Sequence, residues 1–174
     1  MGAAATKAGV TMADSMEIGG TTVHLNGLGV RSFTLLQIRG YVAGLYLTKP
    51  THDPEVALSE PGAKALVIQY VRGASASQVH DLYMDSSRKY CAHNTCDQQN
   101  KTSFQNLLET VRDVKPGDIT SFLISDAGVQ VLFNGKEIAN LKDPSFGRVI
   151  LDSDLGANPP SVELKNGLLA REAT

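Results

Sequence analysis

The stretch LNGLGVRSFTLLQIRGYVAGLYL, residues 25–47, constrains the fold of this chain more than any other feature. It is rich in β-branched and aromatic residues from Val30 to Leu47, which predicts a hairpin or one long strand. Alternate residues of a strand face opposite sides, and here both sides are largely apolar. Such a segment is covered on both faces, so a polar side chain within it needs a partner.

Among the residues of this segment, Arg31 has the highest free-energy cost of burial, because arginine keeps its charge when it is buried. A buried guanidinium needs a carboxylate, a cluster of hydrogen-bond acceptors or an anionic ligand. Alternation places Tyr41 on the same side of the strand as Arg31. The alternative is that Arg31 lies at the strand edge, extends to water and pairs with a surface aspartate. Tyr41 and Tyr46 could likewise be ordinary half-buried strand residues, and Arg39 is expected on the surface.

The sequence before residue 115 predicts strands followed by two helices. Two short strands flank a turn at Gly19-Gly20, and residues 64–73 add another strand. One helix begins near Ser75, where apolar residues recur at helical spacing. Residues 101–114 also carry an apolar stripe at helical spacing, which predicts a second helix. The stripe of this second helix is expected to lie in the core.

The second half of the chain predicts three more strands and two more helices. Turn sequences at residues 126–128 and 134–135 separate alternating segments, which indicates a three-stranded meander. Asp143 is expected to cap a helix that Gly156 ends, and Ser161 is expected to cap a last helix. This order of elements favours an α+β domain with helices grouped against an antiparallel sheet.

The length of 174 residues suits a single domain. Residues 1–14 are small, polar and unpatterned, which predicts a flexible lead-in, so the domain is expected to span residues 15–174. Small residues like those at the start often remain after a signal peptide is removed. This favours an exported, periplasmic protein, with the cytoplasm as the alternative.

Composition argues against several partners. Sixteen basic and eighteen acidic residues give a net charge of −2 without a basic block, so nucleic acid is not an expected partner. No apolar run approaches the length of a membrane span. Phosphate-binding loops and hydrolase elbows are missing from the sequence, and no cofactor is predicted. The oligomeric state is left open.

The two cysteines, Cys91 and Cys96, enclose a short polar loop. A disulfide between them would fit an oxidising compartment, and two free thiols would fit a reducing one. His93 and Asp97 could complete a set of zinc ligands. Structural zinc sites, however, usually combine paired motifs from two places, and only one is present here. No metal site is therefore predicted.

Residues 25–47 resemble the signature of the chalcone isomerase superfamily, in which a Gly-x-Gly-x-Arg stretch opens a long hairpin with a similar YVAxLYL end. The matching residues here are Gly27, Gly29 and Arg31, followed by residues 41–47. The chain is most similar in type to the short bacterial chalcone-isomerase-like proteins. The resemblance extends over roughly residues 20 to 170, although similarity of fold does not by itself establish function.

This resemblance implies an open-faced β-sandwich, a large antiparallel sheet with a layer of helices and a ligand cleft between them. It also implies two possible roles for Arg31. In true chalcone isomerases the matching arginine polarises the substrate carbonyl and helps the 2′-oxyanion attack the enone, which closes the flavanone ring. In fatty-acid-binding relatives it holds the ligand carboxylate.

Departures from the enzymes favour binding over catalysis. The enzymes have a threonine in the hairpin tail, where this chain has Tyr41. Their tyrosine and asparagine on the central helix fall near Val79 and Ser86, and Tyr83 is one helical turn from Val79 and could substitute. The set of small hydroxyl and amide groups that supports the developing enolate is therefore incomplete.

The distal polar pair of the enzymes falls near Ser153 and Asp154. An acid beside the cleft would oppose an anionic ligand unless it pairs with Arg31 itself. Such a pair would give a third possibility, a structural or interaction module with a closed cleft.

We predict a protein that binds a small amphipathic ligand, a carboxylate of the fatty-acid type or a flavonoid-like phenolic, without chalcone isomerase activity. An intramolecular lyase that cyclises a chalcone to a flavanone is the first alternative, with Arg31 and Tyr41 as its catalytic residues. The predicted ligand-binding residues are Arg31, Tyr41, Tyr83 and Ser153.

Overall fold

The computed structural model of the chain describes residues 4–33 and 38–171. Within them, seven consecutive strands form one antiparallel sheet in which each strand pairs with its neighbours in sequence. These strands are β3 (Ser15–Ile18), β4 (Thr21–Phe33), β5 (Ile38–Leu47), β6 (Lys64–Tyr70), β7 (Ile119–Ser125), β8 (Gly128–Phe133) and β9 (Lys136–Leu141). A separate hairpin consists of β1 (Ala4–Lys7) and β2 (Val10–Ala13).

The helices are α1 (Pro54–Ser59), α2 (Ala76–His93), α3 (Gln98–Leu108), α4 (Phe146–Leu155) and α5 (Val162–Leu168). They supply one side of the main core, in which Leu45 and Phe122 of the sheet cluster with Phe146 and Leu164 of the helices. The predicted α+β class, a large antiparallel sheet with a layer of helices, is confirmed. None of the helices in the described ranges is long and apolar enough to cross a membrane.

A flexible lead-in is predicted for residues 1–14, of which residues 1–3 lie outside the part of the chain that the structure describes. Residues 4–13 form the β1–β2 hairpin, and both turn residues, Ala8 and Gly9, have positive φ angles, of 50° and 81°. Val10 and Met12 are buried on the outer face of the sheet, where they pack near Val42. The alternation of Val10 and Met12 is too short to stand out among small polar residues.

Helix ends follow the predicted chemistry in part. Ser161 caps α5 as expected, and Ser75, near which a helix was predicted to begin, caps α2; the two side chains accept hydrogen bonds from the backbone N–H groups of Leu164 and Gln78, respectively. The helix α1, which the sequence analysis did not predict, begins after Asp53 as the capping residue.

Asp143 is not the cap of α4, because Ser145 occupies the capping position. The Asp143 carboxylate is buried and accepts hydrogen bonds from Asn100 and Ser103 of α3, each at 2.9 Å. It also accepts from the Ser145 hydroxyl at 2.9 Å. Asp143 therefore connects α3 to the start of α4, a tertiary role that the local sequence pattern does not reveal.

Cys91 and Cys96 form a disulfide, one of the two arrangements left open by the sequence. The bond joins the last turn of α2 to the segment immediately before Asp97, which caps α3. In the described part of the chain, no group of three or more histidine, cysteine or acidic side chains is placed to hold a metal ion.

Candidate ligand-binding cavity

A cavity of about 740 Å³ lies between the inner face of the sheet and the helices. Strands β4 to β7 and helices α1 to α4 contribute to its walls, together with the segment around α5. Its apolar lining includes Leu66, Ile68 and Phe122 from the sheet and Phe104 and Leu107 from α3. A cavity of this size falls in the range of small-molecule binding sites.

The Gly-x-Gly-x-Arg stretch on β4 explains how Arg31 reaches this cavity. A side chain at Gly27 would overlap the Gly167 carbonyl oxygen of α5, and one at Gly29 would overlap the Leu164 carbonyl oxygen. The two glycines therefore let α5 lie directly on the strand. Arg31 is two residues further along β4 on the same side, where it lines the cavity.

Arg31 is half-buried and only partly satisfied. Its Nη1 donates a hydrogen bond to the Pro160 carbonyl oxygen at 3.0 Å, and its guanidinium lies 4.6 Å from the centre of the Phe33 ring. The Nε atom is buried and has no hydrogen-bond partner among the described residues. A buried donor without an acceptor is costly, and no residue in the described ranges supplies an acceptor to this one.

Three tyrosines surround the guanidinium end of the cavity. Tyr41 is the register partner of both Arg31 on β4 and Tyr70 on β6, and its ring contacts that of Tyr70 edge to face at 6.2 Å between centroids. Burial raises the pKa of Tyr41, although the neighbouring Arg31 opposes the rise. Burial also raises the pKa values of Tyr70 and Tyr83. All three hydroxyl groups are therefore neutral at physiological pH and can donate hydrogen bonds.

Asp154 brings an acidic group to the same cavity from the end of α4. Burial raises the pKa of its carboxyl to about 6, and the positive charge of Arg31 limits the increase. Among the described residues, however, Arg31 and Asp154 do not form an ion pair within 4.0 Å. The closed internal salt bridge considered from the sequence is therefore absent from this part of the structure.

The predicted ligand-binding residues line one cavity, namely Arg31, Tyr41, Tyr83 and Ser153. Ser153 donates its hydroxyl hydrogen to the Val149 carbonyl oxygen at 2.9 Å, one turn back in α4, so it faces the cavity mainly as an acceptor. Ser86 also lines this cavity. Val79 does not line it and is a buried core residue.

Tyr70, the third tyrosine at this site, was not predicted from the sequence. Tyr70 ends a strand that was correctly predicted, and it lines the cavity beside Tyr41 and Tyr83. Its position depends on the register between β5 and β6. That register is set by long-range packing, and no local motif in the sequence specifies it.

The opposite end of the cavity carries more exposed polar groups. Arg148 of α4 and Glu55 of α1 form an ion pair at 3.2 Å between Nη2 and Oε1, and both side chains are largely exposed. His93 and Asn94, at the end of α2 and within the loop closed by the disulfide, also line the cavity at this end. The exposed Arg148–Glu55 ion pair marks the solvent-facing side of the cavity.

Comparisons with known proteins agree with this architecture. Residues 4–170 match the profile of a family described as chalcone isomerase-like. A comparison with curated proteins finds no match. Among solved structures, the chain is similar to a fatty-acid binding protein from Arabidopsis thaliana, with a TM-score of 0.77, 16% sequence identity and 96% of each chain covered. This similarity confirms the predicted fold, and the family match covers nearly the whole chain. The protein therefore belongs to the chalcone isomerase-like family.

Proposed function

We propose that this protein binds a small amphipathic carboxylate of the fatty-acid type in the cavity, with the carboxylate held by Arg31. The observation that carries the proposal is the buried Arg31 Nε, which has no acceptor among the described residues and belongs to a guanidinium lining a large cavity. A carboxylate supplies two oxygens in the geometry that a guanidinium matches. The similarity in fold to a fatty-acid binding protein supports the same proposal.

The distribution of polarity along the cavity suits a ligand with one charged end. Tyr70 lies beside Tyr41 at the guanidinium end, whereas Ile68 and Leu66 follow on the same face of β6. At about 3.3 Å per residue, Leu66 lies roughly 13 Å along the strand from Tyr70. An alkyl chain extending from Arg31 would therefore contact apolar side chains over most of this length.

The hydroxyl groups beside Arg31 favour one second candidate, the cyclisation of a chalcone to a flavanone. Tyr41 and Tyr83 could donate hydrogen bonds to an oxyanion that Arg31 also stabilises. A spectroscopic assay with a 2′-hydroxychalcone distinguishes this candidate, because flavanone formation above the uncatalysed rate requires an enzyme. We expect the rate with the protein to equal the uncatalysed rate.

Binding is tested by calorimetric titration with decanoate. Replacing Arg31 by alanine should weaken binding about 10- to 100-fold, the value of one charge-assisted hydrogen-bonded pair. Arg39→Ala is the matched control, because Arg39 is the exposed partner of Ser32 on the neighbouring strand and does not line the cavity. We expect Arg39→Ala to bind decanoate as the parent does. Equal affinity in the parent and Arg31→Ala would exclude the proposed role of the guanidinium.

We also propose that the protein works in an oxidising compartment such as the bacterial periplasm. The Cys91–Cys96 disulfide supports this location, because such bonds persist mainly outside the reducing cytosol. Trapping free thiols with an alkylating reagent in freshly lysed cells tests it. Two alkylated cysteines per chain would place the protein in a reducing compartment.

A further inference from the structure

The cavity contains a second ionisable group that the proposed function leaves unused. The Asp154 carboxylate lines the cavity near the guanidinium end, yet it makes no hydrogen bond or ion pair with any residue in the described ranges. Its neighbours Ser153 and Leu155 also line the cavity, which places this turn of α4 directly against the ligand space. Asp154 is therefore available to interact with whatever occupies the cavity.

Charged and titratable groups line this cavity from each element packed around it. Those that line the cavity are Arg31 on β4, Tyr41 on β5, Tyr70 on β6, Tyr83, Asp85, Lys89, Tyr90 and His93 on α2, Glu55 on α1, Arg148 and Asp152 on α4, and Lys165 on α5. The Lys165 ammonium is already bonded to the Gly156 carbonyl oxygen at 2.8 Å. Arg31 is the charge that acts on the Asp154 carboxyl, and Asp154 in turn acts on Tyr41.

A carboxylate bound to Arg31 would create an electrostatic conflict. One guanidinium would then face two negative groups, the ligand and ionised Asp154, inside a largely apolar cavity. When two carboxylates share one site, one of them takes up a proton, because the shared proton removes the repulsion. A protonated Asp154 could also donate a hydrogen bond, so the same group would change from repelling the ligand to binding it.

We propose that Asp154 makes ligand binding proton-coupled, so that the anionic ligand enters together with one proton from solvent that is held on the Asp154 carboxyl. The inference rests on the proposed function, since it requires an anion at Arg31. Burial already raises the pKa of Asp154 to about 6 in the empty cavity. Little additional free energy is therefore needed to keep the proton at neutral pH when the ligand is present.

The proton taken up is measured by calorimetry at pH 7.4 in two buffers with different ionisation enthalpies. The probe is decanesulfonate, whose headgroup remains ionised throughout, so any proton must bind to the protein. We expect uptake of close to one proton per ligand. From pH 6 to 8, the dissociation constant should rise by up to tenfold per pH unit, because the competent protonated form becomes scarcer.

Asp154→Asn should abolish the proton uptake and leave a dissociation constant that is nearly independent of pH. The matched control is Asp81→Asn on the exposed side of α2, where the side chain is 76% exposed. This control should retain both the proton uptake and the pH dependence. Proton uptake that persists in Asp154→Asn would overturn the inference by assigning the proton to another group.

Failure of this inference is distinguishable from failure of the proposed function. If the parent protein binds decanesulfonate and decanoate without taking up a proton, the role of Asp154 is refuted and the binding function stands. If the parent binds neither probe at any pH from 5.5 to 8, the binding function fails and this inference fails with it.

Discussion

At the scale of single residues, Arg31 and Asp154 are opposite charges that line one cavity without forming a direct ion pair. The buried Nε of Arg31 has no acceptor among the residues that the structure describes, and burial raises the pKa of Asp154 more than Arg31 lowers it. A protein optimised only for stability would bring the two groups together or replace them with apolar side chains. Their separation leaves space at the guanidinium for a ligand.

The raised pKa of Asp154 predicts how stability depends on pH. Its carboxyl titrates at about 6 in the folded protein, above its usual value of 3.8, so the native state binds more protons than the unfolded state between these values. The contribution of Asp154 to the free energy of unfolding therefore falls as pH rises from about 4 to 6. Asp154→Asn should stabilise the protein by about 1–3 kcal/mol at pH 7.5 and by little at pH 4.

Urea denaturation of the parent and Asp154→Asn at both pH values measures this difference. The ligand-free protein must be used, because bound ligand would add its own stabilisation. An equal change in the free energy of unfolding at pH 4 and 7.5 would contradict a raised pKa for Asp154.

At the scale of elements, the contact between β4 and α5 determines where the guanidinium lies. Gly27 and Gly29 leave room for the backbone of α5. Gly167 on α5 likewise leaves room for β4, because a side chain there would overlap the Leu28 carbonyl oxygen. Pro160, immediately before the Ser161 cap of α5, then accepts the Arg31 hydrogen bond. The glycines thus position both the strand and the acceptor that orients the arginine.

Replacing Gly27 by alanine should therefore destabilise the fold. The nearest atoms to the added methyl group are all backbone atoms of residues 167–170, which cannot rotate away. We expect a loss of about 2 kcal/mol or more in the free energy of unfolding, typical of an overpacked contact. In the control Gly73→Ala, the nearest atom would be 3.4 Å away, an ordinary contact, so its effect should be small. Thermal unfolding that is unchanged in Gly27→Ala would show that α5 does not pack closely on β4.

The sequence could predict elements whose signals are local. The helix start near Ser75, the Ser161 cap and the turns between β7, β8 and β9 depend on neighbouring residues, and the structure has them where the sequence predicts them. Alternation also predicts Arg31 and Tyr41 on the same side, and in the structure the two residues are direct register partners on β4 and β5. Tyr70 and the role of Asp143 could not be predicted, because they depend on which distant elements meet.

At the scale of the whole molecule, the sheet has two differently covered faces. Helices cover the inner face and leave the cavity between the layers, whereas the β1–β2 hairpin packs Val10 and Met12 on the outer face near β4 and β5. This double cover explains why the β4–β5 sequence is apolar on both sides. Arg31 is accommodated there because its side of the strand borders the cavity.

Under the proposed function, the Arg31 guanidinium recognises the negative charge of a ligand in this cavity. The most direct test compares decanoate with decanol, which has the same chain without the charge, in the parent and in Arg31→Ala. We predict that the parent prefers decanoate by about tenfold or more and that the variant loses this preference while it still binds decanol. An undiminished preference for decanoate in Arg31→Ala would show that another group recognises the charge.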